Sequence, residues 1–183
     1  MIKSLKIYTF IAVLLVISGC MSTAPSQDLA FRGVNNLDEF IGLYRNAGDA
    51  GDAGYTPYLT RVIWPGDENI NHENIDSVRV ITSDDNSISI SAYTLNKVVK
   101  EQKYIEGEDF KITGGRVLLD REAGVAGLKG EPLVGLYYGS SEIGLDIKGN
   151  AKYRSSGGVA GLAFLFIPIV VGENRTVKFE RLE

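Results

Sequence analysis

Residues able to do chemistry are few in this chain and widely spaced. Its 183 residues include one histidine, His72, and one cysteine, Cys20. A single histidine excludes multi-histidine zinc centres, and any Ser-His-Asp triad would have to use His72 as its base. The segment Asp67-Glu68-Asn69-Ile70-Asn71-His72-Glu73-Asn74-Ile75-Asp76 places oxygen-bearing side chains at alternating positions, as a calcium loop does. Such a loop needs glycine at its sixth position and glutamate at its twelfth. Here those positions hold His72 and Val78. The segment therefore reads as a surface loop or helix cap, with His72 solvated, and no metal is expected. No serine stands in a Gly-x-Ser-x-Gly elbow, and Gly139-Ser140-Ser141-Glu142 has the wrong spacing for one. Gly124, Gly127 and Gly130 recur at every third residue but lack both the Gly-x-Gly core and the Gly-Lys-Ser/Thr ending of phosphate-binding loops. The carboxylate pairs Asp84/Asp85 and Glu106/Glu108 fall in turn sequences, where water is their ordinary partner. No catalytic residue and no cofactor are expected, and the chain reads as non-enzymatic, with a hydrolase the least favoured alternative.

The elements around these residues are mainly strands. Leu37, Phe40, Ile41 and Tyr44 have helical spacing, yet Phe40, Gly42 and Tyr44 also fit one face of a strand, and a turn leading into a first strand is the favoured reading. The tandem Ala-Gly-Asp around Asp49 and Asp52 reads as a solvated loop. Thr56–Pro65 carries the best helix signal: Thr56 to cap, Pro57 for the first turn, Leu59, Val62 and Ile63 on one face, and Pro65 to stop it. From Ser77 onward short alternating segments are separated by turn residues. Val78 and Val80 alternate with polar neighbours. In SISISAYTL, Ile88, Ile90 and Ala92 alternate with Ser87, Ser89 and Ser91, which predicts a strand with one wet face. Asn96-Lys97, Gly114-Gly115 and Gly149-Asn150 mark further turns. This regular spacing predicts an antiparallel meander forming a small barrel or a sandwich, with one or two short helices near the N-terminal side. Val159–Val171 is apolar on both strand faces. A buried core strand is its first reading; a pocket wall, a partner groove or membrane contact are the others.

Charge excludes one class of partner. Formal net charge is −4. With Lys3 and Lys6 removed it falls to about −6, and no basic surface is left to displace the counterions of nucleic acid.

At the N-terminus, Lys3 and Lys6 precede an apolar stretch, Ile7 to Ile17, too short for a bilayer span but the right length for a secretory leader. Ile17-Ser18-Gly19-Cys20 follows: an aliphatic residue, two small residues and a cysteine. This resembles the lipobox of bacterial lipoproteins. The resemblance implies cleavage before Cys20, acylation of its sulfur and new amino group, and anchoring of the protein to a membrane by these chains. Met21, in place of aspartate, implies the outer membrane, with the body facing the periplasm. Residues 1–19 are then the signal peptide, 20–36 the lipidated cysteine and its tether, and 37–183 a single β-rich domain. The expected role is the binding of envelope components, in assembly, maintenance or stress. Gly42-x-Tyr44, near the start of the meander, is similar to the Gly-x-Trp of lipocalins. That resemblance implies, as the alternative, a carrier of a small apolar ligand lined by Tyr93, Leu162, Phe164 and Phe166.

Overall fold

The computed structural model describes the backbone of residues 18–126, 133–163 and 167–183, and their side chains except at 18–20, 120–135 and 161–169. Lys3, Lys6 and the apolar run from Ile7 to Ile17 lie outside the described residues.

Alternation from Ser77 to Ile105 builds the first sheet. Strands β2 (Gly42–Arg45), β3 (Ser77–Asp84), β4 (Ser87–Thr94) and β5 (Lys97–Ile105) run antiparallel in the order β2-β3-β4-β5. Val80 pairs with Ile90 and Val78 with Ala92, so the apolar set of each strand falls on one face. The β4–β5 turn is closed by Leu95 and Asn96, both left-handed at φ 49° and 62°. It therefore sits one residue earlier than Asn96-Lys97. Left-handed backbone at both central positions matches the twist of the flanking strands, and Asn tolerates it.

The second sheet has the order β1-β10-β9-β8-β7-β6. It comprises β1 (Ser18–Thr23), β6 (Lys111–Thr113), β7 (Arg116–Ala126), β8 (Leu133–Leu145), β9 (Ala151–Ala163) and β10 (Ile167–Phe179). From β6 to β10 it is a meander of sequential neighbours, as the turn spacing predicts. Gly114-Gly115 joins β6 to β7. Gly115 has φ 76°, and a Cβ there would collide with the Val34 amide, so the position admits only glycine.

The chain divides into two compact units. The first comprises residues 1–22, 120–140 and 155–174; the second comprises 23–119, 141–154 and 175–183. Within the second, the two sheets share one core. Val78, Val80, Ile88, Ile90 and Ala92 of the four-stranded sheet are buried in a cluster with Leu145, Ala151, Val177 and Phe179 of the other. This packing is sandwich-like rather than a closed barrel. Each large side chain buried there contributes about 1.5–3 kcal/mol.

Local expectations differ from the structure in four places. Helix α1 covers Leu59–Ile63, with Tyr58 as an N-cap that makes no side-chain cap bond. Thr56 and Pro57 stay outside it because the Pro57 carbonyl accepts from the Gly48 amide at 2.8 Å and Tyr58 bridges Ala47. The serine face of β4 is buried, not wet: Ser87, Ser89 and Ser91 are all inaccessible. Across the strands they face the long residues Arg79, Ile81, Glu101, Lys103 and Ile105. The apolar stretch near the C-terminus is not a buried core strand at the described positions Val170 and Val171, which are exposed.

The fourth place is the segment after Cys20. Small polar composition reads as a tether through residue 36. From Ala24 onward the chain instead makes specific contacts within the second unit. Ser26 bonds Asp49 at 2.9 Å, the Arg32 amide donates to the Leu145 carbonyl at 2.7 Å, and Val34 is core. A Cβ at Gly51 would strike the Ala24 carbonyl, so glycine permits this close passage.

Candidate functional site

His72 is buried, not solvated, and belongs to a four-residue polar network. Asn46, next to the end of β2, is fully buried. Its amide nitrogen donates to the carbonyls of His72 at 2.7 Å and Ile75 at 3.0 Å. Its amide oxygen accepts from the backbone N–H and the hydroxyl of Thr60, at 2.9 Å and 3.0 Å. Thr60 thus gives its one hydroxyl proton to Asn46. The imidazole Nδ1 lies 3.0 Å from Thr60 Oγ1. Burial, with Arg61 nearby, pushes the His72 pKa below its ordinary value. The arrangement ties α1 and the His72 turn to the residue that follows β2.

A second polar cluster surrounds Phe31. Lys152 Nζ, Arg154 and Arg116 stand 4.9 Å, 4.9 Å and 5.3 Å from the ring centroid. Glu142 takes both oxygens to one Arg116 nitrogen at 2.9 Å and lies 3.6 Å from Arg154. Lys152 is fully buried and donates to Asp28 and to the Leu29 carbonyl. Every cation here has an anionic or carbonyl partner, so the cluster clamps residues 28–31 onto the sheet rather than presenting free charge. Near α1, Lys100 pairs with Asp67 and stands 4.8 Å from the Trp64 ring, while Trp64 Nε1 donates to Gln102 at 2.8 Å. Burial pushes the neighbouring Tyr104 hydroxyl up to about 12, so it is neutral at physiological pH.

Among the described residues no three His, Cys, Asp or Glu side chains converge as metal ligands. The alternating oxygens of 67–76 are used locally: Asp67 accepts from Asn69, and Asn71 from the Glu73 amide. Of the four residues expected to line an apolar site, only Tyr93 has a described side chain. Tyr93 lies in β4, in register with Ser77 and Val98, within the second unit. Leu162 lies in β9, within the first unit, and its side chain is outside the described residues, as are Phe164 and Phe166.

The stretch Val159–Val171, apolar on both strand faces in the sequence, belongs at its described end to an exposed apolar sheet in the first unit. Leu136 and Tyr138 of β8 are 65% and 60% exposed, and Val170 and Val171 of β10 are 62% and 45% exposed. Adjacent strand residues point to opposite faces. Exposure at both Val170 and Val171, and at Tyr137 between Leu136 and Tyr138, therefore means that neither face is covered there. Between these strands the sheet is close-packed by small residues. Tyr138 lies directly over Gly158, whose absent side chain leaves room for the ring, and Ser140 bonds Ser156 at 3.0 Å. Cys20 lies in β1, which neighbours β10 in the sheet. The signal that could have found this surface is absence of charge: residues 132–141 and 155–172 contain no Asp, Glu, Lys or Arg. No helix of the described residues is long and apolar enough to cross a membrane.

No family model, no curated protein and no solved structure matches this chain.

Proposed function

We propose that this chain is an outer-membrane lipoprotein, acylated at Cys20, whose periplasmic β-rich body is non-enzymatic and binds other components of the cell envelope. The observation that carries the binding role is the uncovered apolar surface at Leu136, Tyr138, Val170 and Val171. Large apolar side chains on both faces of a sheet cost solvation free energy unless something covers them. The anchoring role rests on Ile17-Ser18-Gly19-Cys20 after a short apolar run.

Two measurements test this reading together. Cells grown with a labelled fatty-acid analogue should yield a labelled protein, and Cys20→Ala should abolish the label and release the protein from the membrane fraction. A photo-crosslinking side chain at position 138 should give a reproducible envelope adduct that depends on Cys20. An unlabelled wild-type protein overturns the anchor; a position 138 that captures nothing reproducible overturns the binding surface.

A further inference from the structure

The uncovered sheet has a definable occupant. Three observations bear on it. First, its charge-free stretches have a length with physical meaning. Residues 155–163 give β9 nine uncharged positions and residues 167–172 give β10 six. At ~3.3 Å per residue these runs extend about 20–30 Å, an apolar strip long enough to lie along the boundary of headgroups and acyl chains. Residues 132–141 give β8 a run of similar length, and it ends at Glu142. Second, both faces of this sheet are exposed at described positions. A protein partner seated on one face would leave the other in water, whereas lipid surrounds both. Third, β1, which carries Cys20, is the sheet neighbour of β10, which exposes Val170 and Val171. Acyl chains on Cys20 would leave from the strand beside the apolar surface.

From these we infer that the charge-free portions of β8, β9 and β10 are themselves immersed in the bilayer beside the acylated cysteine, so that the protein is held by its sheet as well as by its lipid. The inference rests on the lipoprotein reading for the position of the acyl chains, and on the exposed residues for the rest. Tyr137 and Tyr138, with apolar rings and polar tips, suit the level of the headgroups. Immersion of one chain stops at the boundary of headgroups and acyl chains, because an open sheet edge cannot satisfy its backbone groups inside hydrocarbon.

The test uses the mature chain, residues 20–183, carrying Cys20→Ser, so that no acyl chain contributes. Mixed with vesicles of phosphatidylethanolamine and phosphatidylglycerol, it should float with the lipid. The double variant Leu136→Asp/Val170→Asp should lose at least about tenfold in vesicle partitioning, because charge on a lipid-facing strand is costly in proportion to depth. Both positions are exposed, so the substitutions remove no core packing. Val98→Asp/Val99→Asp on β5, where the side chains are comparably exposed, should partition as the parent does. A nitroxide on Val170→Cys, the one thiol in that background, should become more accessible to oxygen and less to a soluble nickel complex when vesicles are added. Three results overturn the inference: a parent chain that stays in the soluble fraction, partitioning unchanged by Leu136→Asp/Val170→Asp, or a nitroxide already buried without lipid because copies of the chain cover one another. The acyl-labelling experiment fails independently. Label without vesicle binding sinks the immersed sheet alone; vesicle binding without label sinks the lipoprotein reading alone.

Discussion

His72 shows how one buried side chain can link stability to pH. Its native pKa lies below the ordinary 6.5, first because burial disfavours the cation and then because Arg61 repels it; the weaker influences of Asp67 and Lys100 oppose each other. The unfolded chain therefore takes up the proton at a higher pH than the folded one. The stability contribution is fully present above about pH 6.5 and falls as pH drops through that value toward the native pKa. Denaturant midpoints should thus decline between about pH 7 and pH 5, and His72→Gln should remove that part of the slope. An identical pH profile in the variant would show that other groups cause it. This residue is also where composition misled most. A lone histidine among Asn, Glu and Asp reads as solvated, yet its burial is set by Asn46 and Thr60, 26 and 12 positions away, whose roles no local pattern encodes.

Strands were legible where one face alternates. Ile88-x-Ile90-x-Ala92 and Val78-x-Val80 lie on the core side as their spacing requires. Glycine and asparagine turns were legible too, because left-handed backbone needs particular residues. The serine face of β4 was not: its own polarity reads as wet, yet it is buried. Nor was the start of α1, where a bridge to Ala47 competes with a favourable cap sequence. The uncovered sheet was legible in part: Val159–Val171 is apolar on both strand faces, but that pattern fits a buried strand as well as an open one. The β4–β5 turn supports a prediction at this scale. Leu95 holds φ 49° and is exposed, so it bears the cost of left-handed backbone without gaining burial. Leu95→Asn should raise stability by about 0.5–1 kcal/mol, read as a higher melting temperature, since Asn adopts this region with less strain. A lower melting temperature would mean that the Leu95 side chain contributes packing the exposure does not reveal.

For the molecule as a whole, fold class and strand content follow from the sequence, but the division into two units does not. Both units draw residues from the same long strands, β7 to β10. The second unit is sealed in part by residues 28–31, whose clamp depends on Lys152. Lys152→Met should cost about 2 kcal/mol in chemical denaturation: it removes a fully buried ammonium, together with its bond to the Leu29 carbonyl and its contact with Phe31, while Asp28, which reaches solvent, is left less strained than a buried carboxylate would be. Unchanged stability would show that Arg116 and Arg154 hold Phe31 unaided.

Strand β1 begins at Ser18, two residues ahead of the cysteine. If a peptidase severs the Gly19–Cys20 bond, it must grip a segment that the finished sheet already engages. A protease active site takes its substrate as a free, extended ribbon, so the cut has to come before β1 settles against β10. Afterwards only Cys20–Thr23 remains to dock. Maturation would then set the order of assembly: export and trimming first, closure of that sheet margin last.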